Sequence, residues 1–180
     1  SPHAAVRRSA RDDAAQCARL DENGMPTVRA IALAADAPDE LAGSFRDMLA
    51  GDDATAAVRA IRAAVRLRLA DRLHDQFAEI LSAPAGTPDH ARIAATAAAA
   101  LGSIRTRASL NLAANAIDRP APRVRANAVE SLEMLSRSFD AARPNPADRF
   151  TEIKHTGEHR ARANAVRALG TSAITDALTE

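Results

Sequence analysis

The sequence predicts an all-α fold, an array of about four to five stacked helical hairpins. Three observations lead there. The stretch "RANAV" occurs twice, first residue Arg125 and then Arg162, a step of 162 − 125 = 37. Alanine, the best helix former, supplies about a quarter of the 180 residues, while aromatics are only 2%, with no Trp and no Tyr. Apolar residues recur at helical spacing around each copy of the repeated stretch, as in Val124, Ala128, Leu132 and Leu135.

With "RVRANAVESL" (Arg123–Leu132) as template, related stretches appear along the whole chain. "TVRAIALAAD" opens with Val28-Arg29 and "AVRAIRAAV" with Val58-Arg59. "ARIAATAAAALG" has Ile93 in the place of Val124, with Ala94 where the arginine would stand. "RARANAVRALG" closes the set with Ala161-Arg162. The apolar markers at 28, 58, 93, 124 and 161 are separated by 30, 35, 31 and 37 residues. A noisy period in the thirties is that of a helical-hairpin solenoid. These second helices are expected near 26–36, 54–68, 88–102, 121–136 and 158–170.

First helices lie between them. "DELAGSFRDMLAG" carries Leu41, Phe45, Met48 and Leu49, and "DRLHDQFAEILS" carries Leu73, Phe77, Ile80 and Leu81. "SIRTRASLNLAANAID" carries Ile104, Leu110, Leu112 and Ile117, and "PADRFTEIKHTG" carries Phe150 and Ile153. The few aromatics fall here, where a large side chain fills the seam between alanine-rich neighbours. Turn signals separate the helices: Asn23-Gly24-Met25-Pro26, Gly51-Asp52-Asp53, Pro84 to Asp89, Asp118-Arg119-Pro120 and Gly157. "RPNP" (Arg143–Pro146) reads as a loop within the array. After Gly170, "TSAITDALTE" reads as a further helix cut short. The chain is therefore expected to be one array over residues 1–180 and a segment of a longer protein.

Charge is balanced, 24 basic against 23 acidic residues, so no global field pulls the chain toward nucleic acid or membrane. One cysteine, Cys17, precludes an internal disulfide, and its alanine-rich surroundings suit a small buried hydrophobe. The most apolar run, Ile93–Ile104, is shorter than the ~18 residues of a spanning helix, so a cytoplasmic location with no membrane partner is expected.

The chain resembles the HEAT-repeat family over nearly its whole length. The residues carrying the resemblance are an acidic turn residue, then Val-Arg opening the second helix, then Ala and Leu inward. Asp53 with Val58-Arg59 keeps that spacing, and Asp118 with Val124-Arg125 is one residue longer. Asn23 stands where an Asp would precede Val28-Arg29. The resemblance implies a right-handed α-α superhelix and a hydrogen-bonded ladder of turn Asp and helix Arg joining neighbouring repeats. Here its members would be Arg29, Arg59, Arg125 and Arg162 with Asp53 and Asp118. Ala94 departs from the pattern, and the last copy has no turn Asp.

Chemistry-bearing patterns are few. "HTGEH" (His155–His159) matches the H-x-x-E-H pattern of zinc proteases, but Gly157 falls where a turn is expected, and that chemistry needs a continuous helix. Asn127 and Asn164 sit beside the core face, either as inter-repeat ties or as contacts for a bound peptide backbone. Arg59, Arg62 and Arg66 form a row on one helix that would suit phosphates, though no Trp or Tyr offers base stacking. "RDD" and "GDD" read as helix-end charges.

The functional expectation is a non-catalytic interaction scaffold or adaptor, part of a larger bacterial-type protein, with a protein or peptide partner. No cofactor, metal ligand or catalytic residue is assigned. Candidate partner-binding residues are Arg123, Asn127, Glu130, Arg160, Asn164 and Arg167. The alternatives are a nucleic-acid binder using the Arg row and, behind it, an enzyme like the HEAT-like lyases or glycosylases. The acidic, aromatic pocket of those enzymes has no counterpart that the sequence locates.

Overall fold

The computed structural model describes residues 28–84, 86–138, 146–156 and 158–179; the side chains of 28, 29, 146, 149, 156 and 171–179 lie outside that description. Cys17, Asn23, the turn at 23–26, Gly157 and most of the "RPNP" break also lie outside the described residues. All regular structure among the described residues is helical, and the chain divides into two compact units between Ile80 and Leu81.

The first unit contains α1 (Val28–Asp36), α2 (Pro38–Ala50), α3 (Ala54–Arg66), a 3-10 turn (Ala70–Leu73) and the greater part of α4 (His74–Ser82). Pro38 opens α2, where its missing N–H is no loss. Asp53 caps α3, its carboxylate accepting from the N–H groups of Thr55 at 2.8 Å and Ala56 at 3.0 Å. α2 packs on α1, α3 and the 3-10 turn. Leu41, Phe45, Ile61, Leu73 and Phe77 are buried in this unit. Arg72 pairs with Asp39, tying the 3-10 turn to the start of α2.

α3 ends in a Schellman turn. Arg68 N–H donates to Val65 O at 3.2 Å and Leu69 N–H to Ala64 O at 2.8 Å. Such a turn requires a left-handed residue, and Arg68 occupies it with φ 59°. Glycine is the usual occupant, because it has no Cβ to clash.

The second unit contains α5 (Pro88–Leu101), α6 (Arg107–Ala116), α7 (Pro122–Ser136), α8 (Pro146–Thr156) and α9 (His159–Thr179). Thr87 and Thr106 cap α5 and α6 through their hydroxyls, and Pro88 and Pro122 sit in the first turns of α5 and α7. α5, α7 and α9 form a row with α7 in the middle. α6 packs on both α5 and α7, and α8 on both α7 and α9. α7 is therefore surrounded. It buries Ala126, Val129, Ser131 and Glu133 besides the expected Val124, Ala128, Leu132 and Leu135.

Several boundaries differ from the sequence expectation: α3, expected to reach 68, ends at Arg66, and α4 begins at His74 only after a 3-10 turn. Residues 103–106 belong to the turn that closes α5, through Ser103 N–H to Ala100 O at 3.0 Å and Ile104 N–H to Leu101 O at 2.9 Å, and α6 starts only at Arg107. Gly170 does not end the last helix, which continues to Thr179. A lone helical glycine costs about 1 kcal/mol against alanine but stops nothing unless the chain turns there.

Two stability outcomes follow for the first unit. Replacing Phe45 by Ala should lower unfolding free energy by about 3–5 kcal/mol. Arg68→Gly should raise it by about 1 kcal/mol by relieving the left-handed residue. Urea midpoints of the two variants against the native chain check both signs.

Candidate functional site

The repeated stretch is where helices of the row are tied together. Asn127 Nδ2 donates to Ala95 O in α5 at 2.6 Å. Asn164 Nδ2 donates to Ala126 O in α7 at 3.0 Å. Aligning the markers Ile93, Val124 and Ala161 makes Ala95 and Ala126 equivalent, as it does Asn127 and Asn164, so the two bonds are copies of one contact. The equivalent residue of α5 is Thr96, whose hydroxyl bonds back to Arg92 O at 2.9 Å within its own helix. Asn164 is buried at 7% exposure and Asn127 is half-buried. An amide so placed needs a partner, and the neighbouring carbonyl supplies one.

A second tie lies one turn farther along. Ser131 Oγ donates toward Ala98 O at 2.7 Å, lies 3.2 Å from Ala99 O, and accepts from Gly102 N–H at 3.1 Å. The hydroxyl thus satisfies groups at the C-terminal end of α5. A methyl group on Gly102 would lie 3.1 Å from Ser131 Oγ, 3.1 Å from Met134 Sδ and 3.3 Å from Ser131 Cα. Glycine here is what lets α7 cross so close.

Arg125 holds the turn before α7 and the start of α9 together. Its Nη1 donates to Arg119 O at 3.1 Å and lies 3.4 Å from Pro120 O, its Nε donates to Glu158 Oε2 at 3.3 Å, and its Nη2 pairs with Glu158 Oε1. Arg162 does a related job one copy later, Nε to Lys154 O at 3.1 Å. Arg119 reaches back to Ala83 O. Arg59 is exposed and has no partner among the described residues, as are Arg62 and Arg66 beside it. Asp53 serves as the α3 cap, Asp118 is exposed, and the Arg29 side chain lies outside the described residues.

The seam between α7 and α9 carries the remaining candidates. Arg160 stands 3.9 Å from Glu130, both half-exposed, a distance at which an ion pair contributes little. Arg167 Nη2 lies 3.3 Å from Glu133 Oε2, and Arg137 holds Glu133 Oε1. Glu133 is buried at 5% exposure, so its charge is tolerable only with these two guanidiniums. Arg123 is exposed without a partner among the described residues.

The structure thus brings Glu130, Arg160 and Arg167 to one seam, and places Asn127 and Asn164 in helix–helix bonds. Sequence reasoning missed Glu133, Ser131, Gly102 and Glu158. Glu133 had a visible signal, since it lies four residues after Val129 and seven after Ala126, a carboxylate on an apolar stripe. Glu158 follows Arg125 by 33 residues and stands in the turn that has no Asp, a signal of position only.

His155 lies in the last turn of α8 and His159 begins α9, both exposed, so the H-x-x-E-H pattern does not lie on one helix. Among the described residues no group of three metal-ligating side chains occurs. His74 and His90 each bury Nε2 without a hydrogen-bond partner among the described residues. No described helix is long and apolar enough to cross a membrane. No family model, curated protein or solved structure matches the chain.

Removing a tie should cost stability in proportion to its burial. Asn164→Ala should lower unfolding free energy by about 1–3 kcal/mol, because Ala126 O loses its side-chain donor and a buried space opens. Denaturant midpoints of the variant and the native chain check it.

Proposed function

We propose that the chain is a non-catalytic protein–protein interaction module, a HEAT-like, right-handed array of hairpins whose second helices present the partner surface. The observation that carries this reading is the α7–α9 seam. Two helices of the same written pattern are tied backbone to side chain, and their outer positions bear a set of paired charges. Rigid helices that display charges in fixed positions suit recognition, because little side-chain order has to be created on binding. The repeat spacing and the in-register asparagine bonds support the HEAT-like reading.

Within this reading the candidate residues divide by job. Asn127 and Asn164 keep the helices in register. Arg123, Arg160, Glu130 and Arg167 meet the partner. The adaptor role and the larger bacterial-type protein belong to the same proposal.

A second reading has one observation in its favour. Arg59, Arg62 and Arg66 stand exposed along α3 with no partner among the described residues, and no acid lies within that helix. Such a row would follow a phosphate backbone.

The test compares partner capture by the native chain with capture by the combined variant Arg123→Ala, Arg160→Ala, which leaves Arg167 on the buried Glu133. The variant should lose its partner by about tenfold or more in affinity while its thermal midpoint falls by no more than about 2 °C. Equal capture by both chains defeats the seam assignment. Under the second reading a nucleic-acid mobility shift appears, weakens steeply with salt, and vanishes in Arg59→Ala, Arg62→Ala, Arg66→Ala; under the first it does not appear.

A further inference from the structure

One end of α7 forms a cleft of about 530 Å³, lined among the described residues by Arg105, Met134, Arg137 and Ser138. Among the described residues its lining has two guanidiniums and no carboxylate. Arg105 follows the end of α5, is exposed, and has no partner among the described residues. Arg137 caps α7, and its bond to the buried Glu133 fixes where its guanidinium stands. Met134 is 50% exposed, and its sulfur lies over Gly102.

Each part of this lining asks for something different. The planar fork of arginine matches a carboxylate or a phosphate oxygen pair. Met134 is a large, adaptable apolar surface left in water, a type of side chain common on peptide-binding surfaces. Among the described residues the lining has no aromatic ring on which a base could stack. A carboxylate carried beside an apolar side chain satisfies all of it. Glu133 contributes indirectly. It sits beneath the surface at 5% exposure and holds Arg137 in position before any ligand arrives.

We propose that this cleft binds an acidic segment of a partner protein, a Glu or Asp carboxylate between Arg105 and Arg137 with a neighbouring apolar side chain on Met134. The assignment rests on the interaction-module reading and names the chemistry of its partner. Binding is salt-sensitive, because both cations face solvent.

The experiment uses the full chain and a short fluorescein-labelled peptide of alternating Glu and Leu, read by fluorescence anisotropy. Its controls are the same peptide with Gln for Glu and a single-stranded DNA oligomer. The Glu peptide should bind, and the Gln peptide should bind about tenfold more weakly or not at all. Arg105→Ala should weaken the Glu peptide by a similar factor, and Met134→Ala by less, with circular dichroism melting curves unchanged because both side chains are exposed. Equal binding of the Gln peptide overturns the proposal, as does an Arg105→Ala variant that binds like the native chain. DNA binding that depends on Arg105 also overturns it, in favour of a phosphate site. No binding of the Glu peptide overturns the cleft assignment alone, since the seam is judged on capture of its own partner by Arg123 and Arg160.

Discussion

An asparagine amide bonded to the backbone of the preceding helix is the contact on which the second unit turns. Asn127 reaches Ala95 O and Asn164 reaches Ala126 O, and both bonds join equivalent positions of successive helices. A side chain that short reaches a neighbouring backbone only if the two helices lie close together. Closeness in turn demands small residues, and both helices bury alanines: Ala94, Ala95, Ala97 and Ala98 on α5, Ala126 and Ala128 on α7. The alanine content and the asparagines are thus two halves of one solution. Small side chains remove bulk, and the amide supplies a direction and a register that alanine packing alone would leave loose.

The same closeness arranges the charges. With α7 held between α5 and α9, Glu133 falls inside the unit, where Arg137 and Arg167 meet its two oxygens. Arg125 is fixed by two turn carbonyls and by Glu158. These groups join the loop before α7, the last turn of α7 and the start of α9. A surface built on them inherits the spacing of the helices. The proposed partner surface and the cleft at Arg105 both depend on that spacing, and the cleft borrows Arg137 from the pair that Glu133 organises.

Much of this was legible in the chain itself. The all-helical class, the places of the described helices and the special standing of the two asparagines were visible from alanine content, apolar spacing and the doubled "RANAV". Helix ends were legible where a capping residue stands, as at Asp53, Thr87 and Pro122. They were misread at Gly170, because a glycine by itself does not say whether the chain turns. The part of the site that escaped is the part formed by long-range pairs. Glu158 looks like an ordinary turn residue until Arg125, 33 residues earlier, is seen beside it. Gly102 looks like a helix stop until Ser131 and Met134 are found packed over it.

What the sequence by itself determined is therefore periodic and local: helix, turn, apolar stripe, and a mark repeated at each copy. Those properties follow from neighbours within a few residues, where propensity and spacing act directly. Whether Asn127 and Asn164 would face a groove or a neighbouring helix was decided only in the tertiary structure. Both faces are adjacent at that helical position, and the choice depends on how near the next helix comes. The same distance decided that Glu133 would be buried between two arginines while Arg105 and Met134 remained open to solvent.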